Sequence, residues 1–194
     1  MFRDKHRYGQ DPATVVRSKP RTFNAPLRWK DPARVFVCSW SDFFIEDADE
    51  WRDEAWDIMR RTPHITYLLL TKRAENIKDR LPVDWPLRNV WLGVTAEDQQ
   101  RYDERVHILA AITAPVKFLS VEPMLGPIYL DFDADGLWII CGGESGPGAR
   151  EMKIGWAASL KAQCMANRNK FFMKQMSGKK PIPECLNLRE FPGK

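Results

Sequence analysis

ITYLLLT, residues 65–71, is a short apolar run with no polar alternation, and it reads as a strand buried on both faces. Runs of the same kind lie on either side of it: RVFVCSW (34–40) before it, then VWLGV (90–94), VKFLSV (116–121), LWIIC (137–141) and FFMK (171–174). They recur about every 25 residues, with helical patterns between them. A helix is expected over about 48–61, with Asp47 as its cap, Glu50 three residues on, and Arg60 and Arg61 opposing the dipole at its end. Trp51, Ala55, Ile58 and Met59 would form its apolar stripe. A short helix through Ile77 is expected to stop before Pro82. A capped helix starts at Thr95 with Asp98 in reach and Tyr102, Val106 and Leu109 on one face, and another covers about 156–167. Strands that alternate with helices predict an α/β fold with a parallel sheet. A (β/α) barrel, whole or partial, and an open doubly wound sheet both satisfy the pattern.

Three segments follow: a basic arm over 1–33, with three prolines in RSKPRTFNAPLRWKDP, a barrel domain over 34–175, and an irregular tail over 176–194. The 194 residues, 44% apolar and 29% charged, suffice for one sizeable core. No apolar run is long enough for a membrane helix, and the opening MFRDKHRYGQ is too charged for a secretory signal. The expectation is a cytoplasmic protein with no membrane contact. The four cysteines, Cys38, Cys141, Cys164 and Cys185, contain no C-x-x-C pair, so neither a disulfide framework nor a metal knuckle is indicated. Cys38 and Cys141 are expected to be buried thiols.

Charge is unevenly spread. Residues 1–34 hold nine Lys or Arg against three acids and residues 155–194 hold eight against two, while the segment between carries a net −8. Basic ends around an acidic body suit a polyanion, with Arg3, Lys5, Arg7, Arg17, Lys19 and Arg21 at one end and Lys170, Lys174, Lys179 and Lys180 at the other. Trp29 and Trp40 are the tryptophans best placed by sequence to stack on bases.

In parallel α/β folds the site forms where strands end, so the polar residues after each run are the candidates. These are Ser39 and Asp42, Thr71 and Lys72, Glu97, Ser120 and Glu122, and Lys174 and Gln175. After the fifth strand stands CGGESGPGAR, in which Gly142 and Gly143 would let the backbone approach a ligand. Glu144 and Ser145 would offer polar contacts, and Arg150 would pair with a carboxylate. The spacing matches no phosphate-loop fingerprint, and no nucleophile elbow or H-E-x-x-H appears. His6, His64 and His107 all lie away from strand ends. Catalytic roles stay unassigned.

Taken in order, VFVCSWSDFFIEDADEWRDEAWDIMRRTPHITYLLLTKR, NVWLGVTAEDQ, VKFLSVEPMLGPI and LWIICGGESGPGAR resemble a phage-associated family of unknown function. That family is grouped with radical-SAM proteins and carries an N-terminal three-cysteine motif. The resemblance runs over about residues 1–176. It implies a radical-SAM-like (β/α) barrel with a [4Fe-4S] cluster on three cysteines and S-adenosylmethionine across the strand ends, cleaved there to a hydrogen-abstracting radical. The family's cysteine motif would fall before the segment resembling MFRDKHRYGQDP. The expectation is therefore a partial barrel lacking its first strand and its cluster ligands, with no cofactor or metal held by this chain. Two functions follow from the resemblance: a truncated member of an enzyme family acting on nucleic acid or a nucleotide, or a catalytically silent binding protein engaging nucleic acid or a host protein complex.

Overall fold

A computed structural model describes residues 15–39 and 41–193. All six expected strands form: β1 Ala33–Val37, β2 Ile65–Thr71, β3 Val90–Thr95, β4 Lys117–Val121, β5 Trp138–Gly142 and β6 Lys170–Gln175. They pair in parallel in the order β1-β2-β3-β4-β5-β6, and the sheet curls into a half-barrel. A doubly wound sheet would reverse its strand order at a switch point, and this sheet does not reverse. Among the described residues, four helices accompany it: α1 Pro20–Phe23, α2 Asp49–Arg61, α3 Gln99–Ala110 and α4 Ile154–Ala166.

Residues alternate across the sheet, and each face has its own core. Ile65, Tyr67 and Leu69 of β2, Val90, Leu92 and Val94 of β3 and Leu119 and Val121 of β4 pack outward with Trp56, Met59, Val106 and Leu109 of the helices. Each such side chain fully withdrawn from water contributes about 1.5–3 kcal/mol. The inner face carries a smaller cluster of Leu68, Phe118, Trp138 and Ile140, flanked by the half-buried Leu70, Trp91, Phe172 and Phe191. The ring of Phe118 lies where a Cβ on Gly93 would stand, 2.5 Å away, which is why the central strand carries a glycine there.

Local expectations were corrected in several places. Asp47 does not cap α2. Glu46–Ala48 forms a 3-10 turn and Ala48 is the cap residue, without a side-chain bond. The buried stripe of α2 is Arg52, Trp56, Ile58 and Met59, whereas Trp51 is only half-buried. Arg52 is buried because the loop before α2 leaves carbonyls to satisfy: its guanidinium donates to Phe43 O at 3.1 Å and Ile45 O at 2.7 Å. The short helix through Ile77 is instead two 3-10 turns, Ala74–Asn76 and Lys78–Arg80. Asp98 is itself the cap of α3, accepting from Arg101 N at 2.9 Å, and Thr95 closes β3. Cys141 is buried but Cys38 is exposed. Its φ of 57° ends β1 early, at an edge where the strand alternates between half-buried and exposed.

The described part of the arm lies outside the sheet. Arg17 pairs with Glu54 of α2 at 2.5 Å, and the ring of His64 bonds Trp29 O at 3.0 Å. The described part of the tail has no strand or long helix, yet it buries Met176, Ser177 and Leu186. It also lines the outer edge of β6 in antiparallel fashion. Met173 N donates to Leu188 O at 2.8 Å, Glu190 N donates to Phe171 O at 2.9 Å, and Phe172 bridges Arg189. Phe191 then turns onto the inner face, 5.1 Å from Phe172 and 5.6 Å from Trp138, and the Arg34 guanidinium of β1 sits 4.5 Å above its ring.

Candidate binding site at the strand ends

Parallel strands share one C-terminal edge, and the polar residues that follow them meet there. Asp42 ties the end of β1 to the end of β2. It accepts from Thr71 Oγ1 at 2.7 Å, Lys72 N at 3.0 Å, Arg73 Nη1 at 3.2 Å and Phe44 N at 2.9 Å. With both oxygens engaged by its own chain, Asp42 is a clip between strands. Ser39 is exposed and hydrogen-bonds to no described residue.

Glu97 follows β3 and is held from two sides. Lys72 donates to one of its oxygens and Arg105 Nη1 to the other at 3.2 Å, while Arg105 also donates to Thr95 O and Oγ1 at 3.0 Å each. Burial alone would raise the Glu97 pKa, but the hydrogen bond and charge of Lys72, with Arg105 behind, outweigh it and hold the carboxyl below its usual range. Arg105 was not among the sequence candidates. It lies ten positions beyond Thr95 on a helix, where an arginine reads as solvated surface, and only the docking of α3 under the mouth turns it inward.

Glu122 follows β4, and Lys174 stands at the end of β6. Lys174 Nζ donates to Glu122 Oε2 at 3.1 Å, and the buried Ser120 hydroxyl lies 3.5 Å from the same oxygen. Between them, at the end of β5, is Gly142. A Cβ there would come within 2.5 Å of Glu122 Oε1. Gly143 is just as confined, since a Cβ on it would overlap the backbone of Ser177. Its amide donates to Gln175 O at 2.9 Å, and its carbonyl accepts from Gln175 Nε2 at 2.9 Å. The glycine pair therefore fits the chain to itself.

The loop after Gly143 is closed by Glu144, whose carboxylate takes Arg150 Nε and Nη2 at 3.0 Å each and Arg150 N at 2.9 Å. These bonds bring the Glu144 pKa down to about 2. Ser145 is exposed, and Gly146 and Gly148 have open space around them.

The basic candidates separate. Lys174, Lys179 and Lys180 flank the mouth, with Lys180 on Glu151 at 3.3 Å, and Lys170 pairs with Glu190 at 3.5 Å. Arg17, Lys19 and Arg21 run with the arm on the outer, helical side. Arg3, Lys5, Arg7, His6 and Trp40 lie outside the described residues. A cleft of about 320 Å³ between α2 and Lys78–Arg80 also lies on the outer side, and its charged walls are joined in the Arg52–Asp49–Arg80 ion pairs.

The four cysteines do not converge. Cys38 and Cys185 are exposed at the end of β1 and in the tail, and Cys141 and Cys164 are buried, where desolvation raises the Cys164 thiol to about 12. Among the described residues, no three His, Cys, Asp or Glu side chains group as metal ligands, and no helix is long and apolar enough to cross a membrane.

A six-stranded parallel half-barrel with a charged mouth at its C-terminal edge defines the class: a (β/α) protein with its candidate site in the strand-to-helix loops. The chain belongs to DUF5131, a family of proteins of unknown function, whose family model matches residues 2–185. No curated protein and no solved structure matches it.

Proposed function

We propose that this chain is the half-barrel of a phage-associated, radical-SAM-like protein acting on nucleic acid or a nucleotide, and that its strand ends, against the expectation of no cofactor held by this chain, take the S-adenosylmethionine that the resemblance implies for complete members. One observation carries the reading: a largely shielded Glu122 pairs with an exposed Lys174 at the mouth of a parallel half-barrel. The amino-acid end of S-adenosylmethionine brings an ammonium and a carboxylate, and exchanging partners with that pair leaves no charge unmatched. Glu122 would take the ammonium and Lys174 the carboxylate, with Glu97 and Lys72 as the neighbouring pair. Three thiolates must meet at one point to hold a [4Fe-4S] cluster, and the cysteines of this chain do not meet, so no radical step is derived from these residues.

The same separation of cysteines favours a second reading, a binding protein without catalysis that engages nucleic acid or a host protein complex. Equilibrium dialysis with labelled S-adenosylmethionine tests the mouth. Binding that Glu122→Gln and Lys174→Ala each weaken about tenfold is expected, as for loss of one charge-assisted bond. Absence of binding by the folded chain would reject this assignment. Anaerobic reconstitution with iron and sulfide separates the two readings: stoichiometric iron with charge-transfer absorbance would favour the enzyme acting alone, and none is expected from this cysteine arrangement.

A further inference from the structure

Among the described residues, the inner face of the half-barrel below the mouth is left partly open on its β1 side, where Phe36 is exposed. Phe36 of β1, Leu68 of β2 and Trp91 of β3 are register partners, so they form one row across three strands. Neighbouring strands are about 4.8 Å apart, which puts the two aromatic residues about 10 Å from each other across Leu68. Phe36 is 45% exposed and Trp91 is half-buried, its ring edge-on to Trp138 at 5.9 Å. Large apolar side chains pointing into a concave face and left in contact with water are what a ligand site presents.

The charges around this row are positive or neutralised. Arg34 lies two residues before Phe36 on the same face, about 7 Å along the strand. It stacks on Phe191 and has no carboxylate partner among the described residues. Lys72 and Lys174 stand at the upper rim, about half exposed, and their partners Glu97 and Glu122 are spoken for by the same pairs. An aromatic row beside a cation matches an unpaired base with its phosphate, since every base has a face to stack and each phosphate seeks a guanidinium. Stacking on a side-chain ring needs a base with a free face, which an unpaired strand offers, so the strand that fits is single.

We infer that Phe36, Trp91 and Arg34 form a stacking platform for the bases of single-stranded nucleic acid, which is thereby the substrate class brought beneath the mouth. This rests on the reading of the mouth given above and adds the surface that would hold the substrate.

Fluorescence anisotropy with a labelled oligodeoxythymidylate, against an abasic oligonucleotide of the same length and charge, tests it. The abasic strand should bind at least fivefold more weakly, and Phe36→Ala and Trp91→Ala should each weaken the base-bearing strand by a similar factor while leaving the abasic strand unchanged. Trp91→Phe, which keeps a ring and the contact to Trp138, should restore most of the loss. Arg34→Ala should weaken both strands and flatten the salt dependence. Equal binding of the abasic strand or of a duplex, or indifference to Phe36→Ala, would overturn the platform. S-adenosylmethionine dialysis on the parent chain, beside its anisotropy with the two strands, keeps the two readings apart. Cofactor binding without base discrimination rejects the platform alone, and base discrimination without cofactor binding rejects the assignment of the mouth while the platform stands.

Discussion

Glu122 and Lys174 are separated by 52 positions and by a whole strand, yet they meet at 3.1 Å because Gly142, at the end of the intervening β5, has no side chain to keep them apart. The pair depends on an absence. Gly142→Ala would place a methyl 2.5 Å from Glu122 Oε1, and the cheapest relief is for the flexible carboxylate to swing away from Lys174. Affinity for S-adenosylmethionine should fall about tenfold with only a small change in melting temperature. An unchanged affinity would remove this pair from the site.

Gly143→Ala should behave differently. The added methyl meets the backbone of Ser177, which cannot rotate away, so the cost appears in folding. Urea denaturation should show a loss of about 1–3 kcal/mol, the range for overpacking a filled interior. Gly146→Ala, with nothing within 4 Å, is the control and should cost far less.

Arg150 holds the Glu144 carboxyl at a pKa of about 2, against an ordinary 4.5. A group whose folded pKa is depressed stabilises the fold above its unfolded pKa, so this contribution is complete above pH 4.5 and is lost as pH falls toward about 2. In Arg150→Ala the Glu144 midpoint, followed by carbon-13 carboxyl NMR, should climb toward 4.5. The stability gap between variant and parent should close over the same acid range. Arg150 is exposed and Glu144 only partly shielded, so added salt should narrow that gap.

Phe191 is the tail's anchor on the inner face. Phe191→Ala should uncover Trp138, shifting tryptophan emission to longer wavelength, and should cost about 2 kcal/mol, less than a fully buried phenylalanine because Phe191 is partly exposed. An unshifted emission spectrum would mean that the tail does not cover the aromatic cluster in solution.

The runs from RVFVCSW to FFMK by themselves determined the class of fold: apolar, β-branched segments spaced by helices can bury both faces only in a parallel sheet. The same logic located the mouth, because strand ends share an edge whatever the curl. Sequence could not choose between barrel and doubly wound sheet, since that choice is the spatial order of strands, set by contacts between residues far apart along the chain. Nor could it say which carboxylate meets which cation. Glu122 and Lys174 are paired by the curvature of three strands, and Arg105 is brought to Glu97 by the docking of a helix. The glycines of CGGESGPGAR read as space for a ligand, but Gly142 and Gly143 are filled by Glu122 and Ser177, neighbours that exist only once the sheet has closed around them. Cys38 shows the same limit from the other side: its apolar surroundings predict burial, and its place at the open edge of the half-barrel exposes it. Residue type and spacing decide which face a side chain occupies, and what covers that face is decided by the packing of the whole chain.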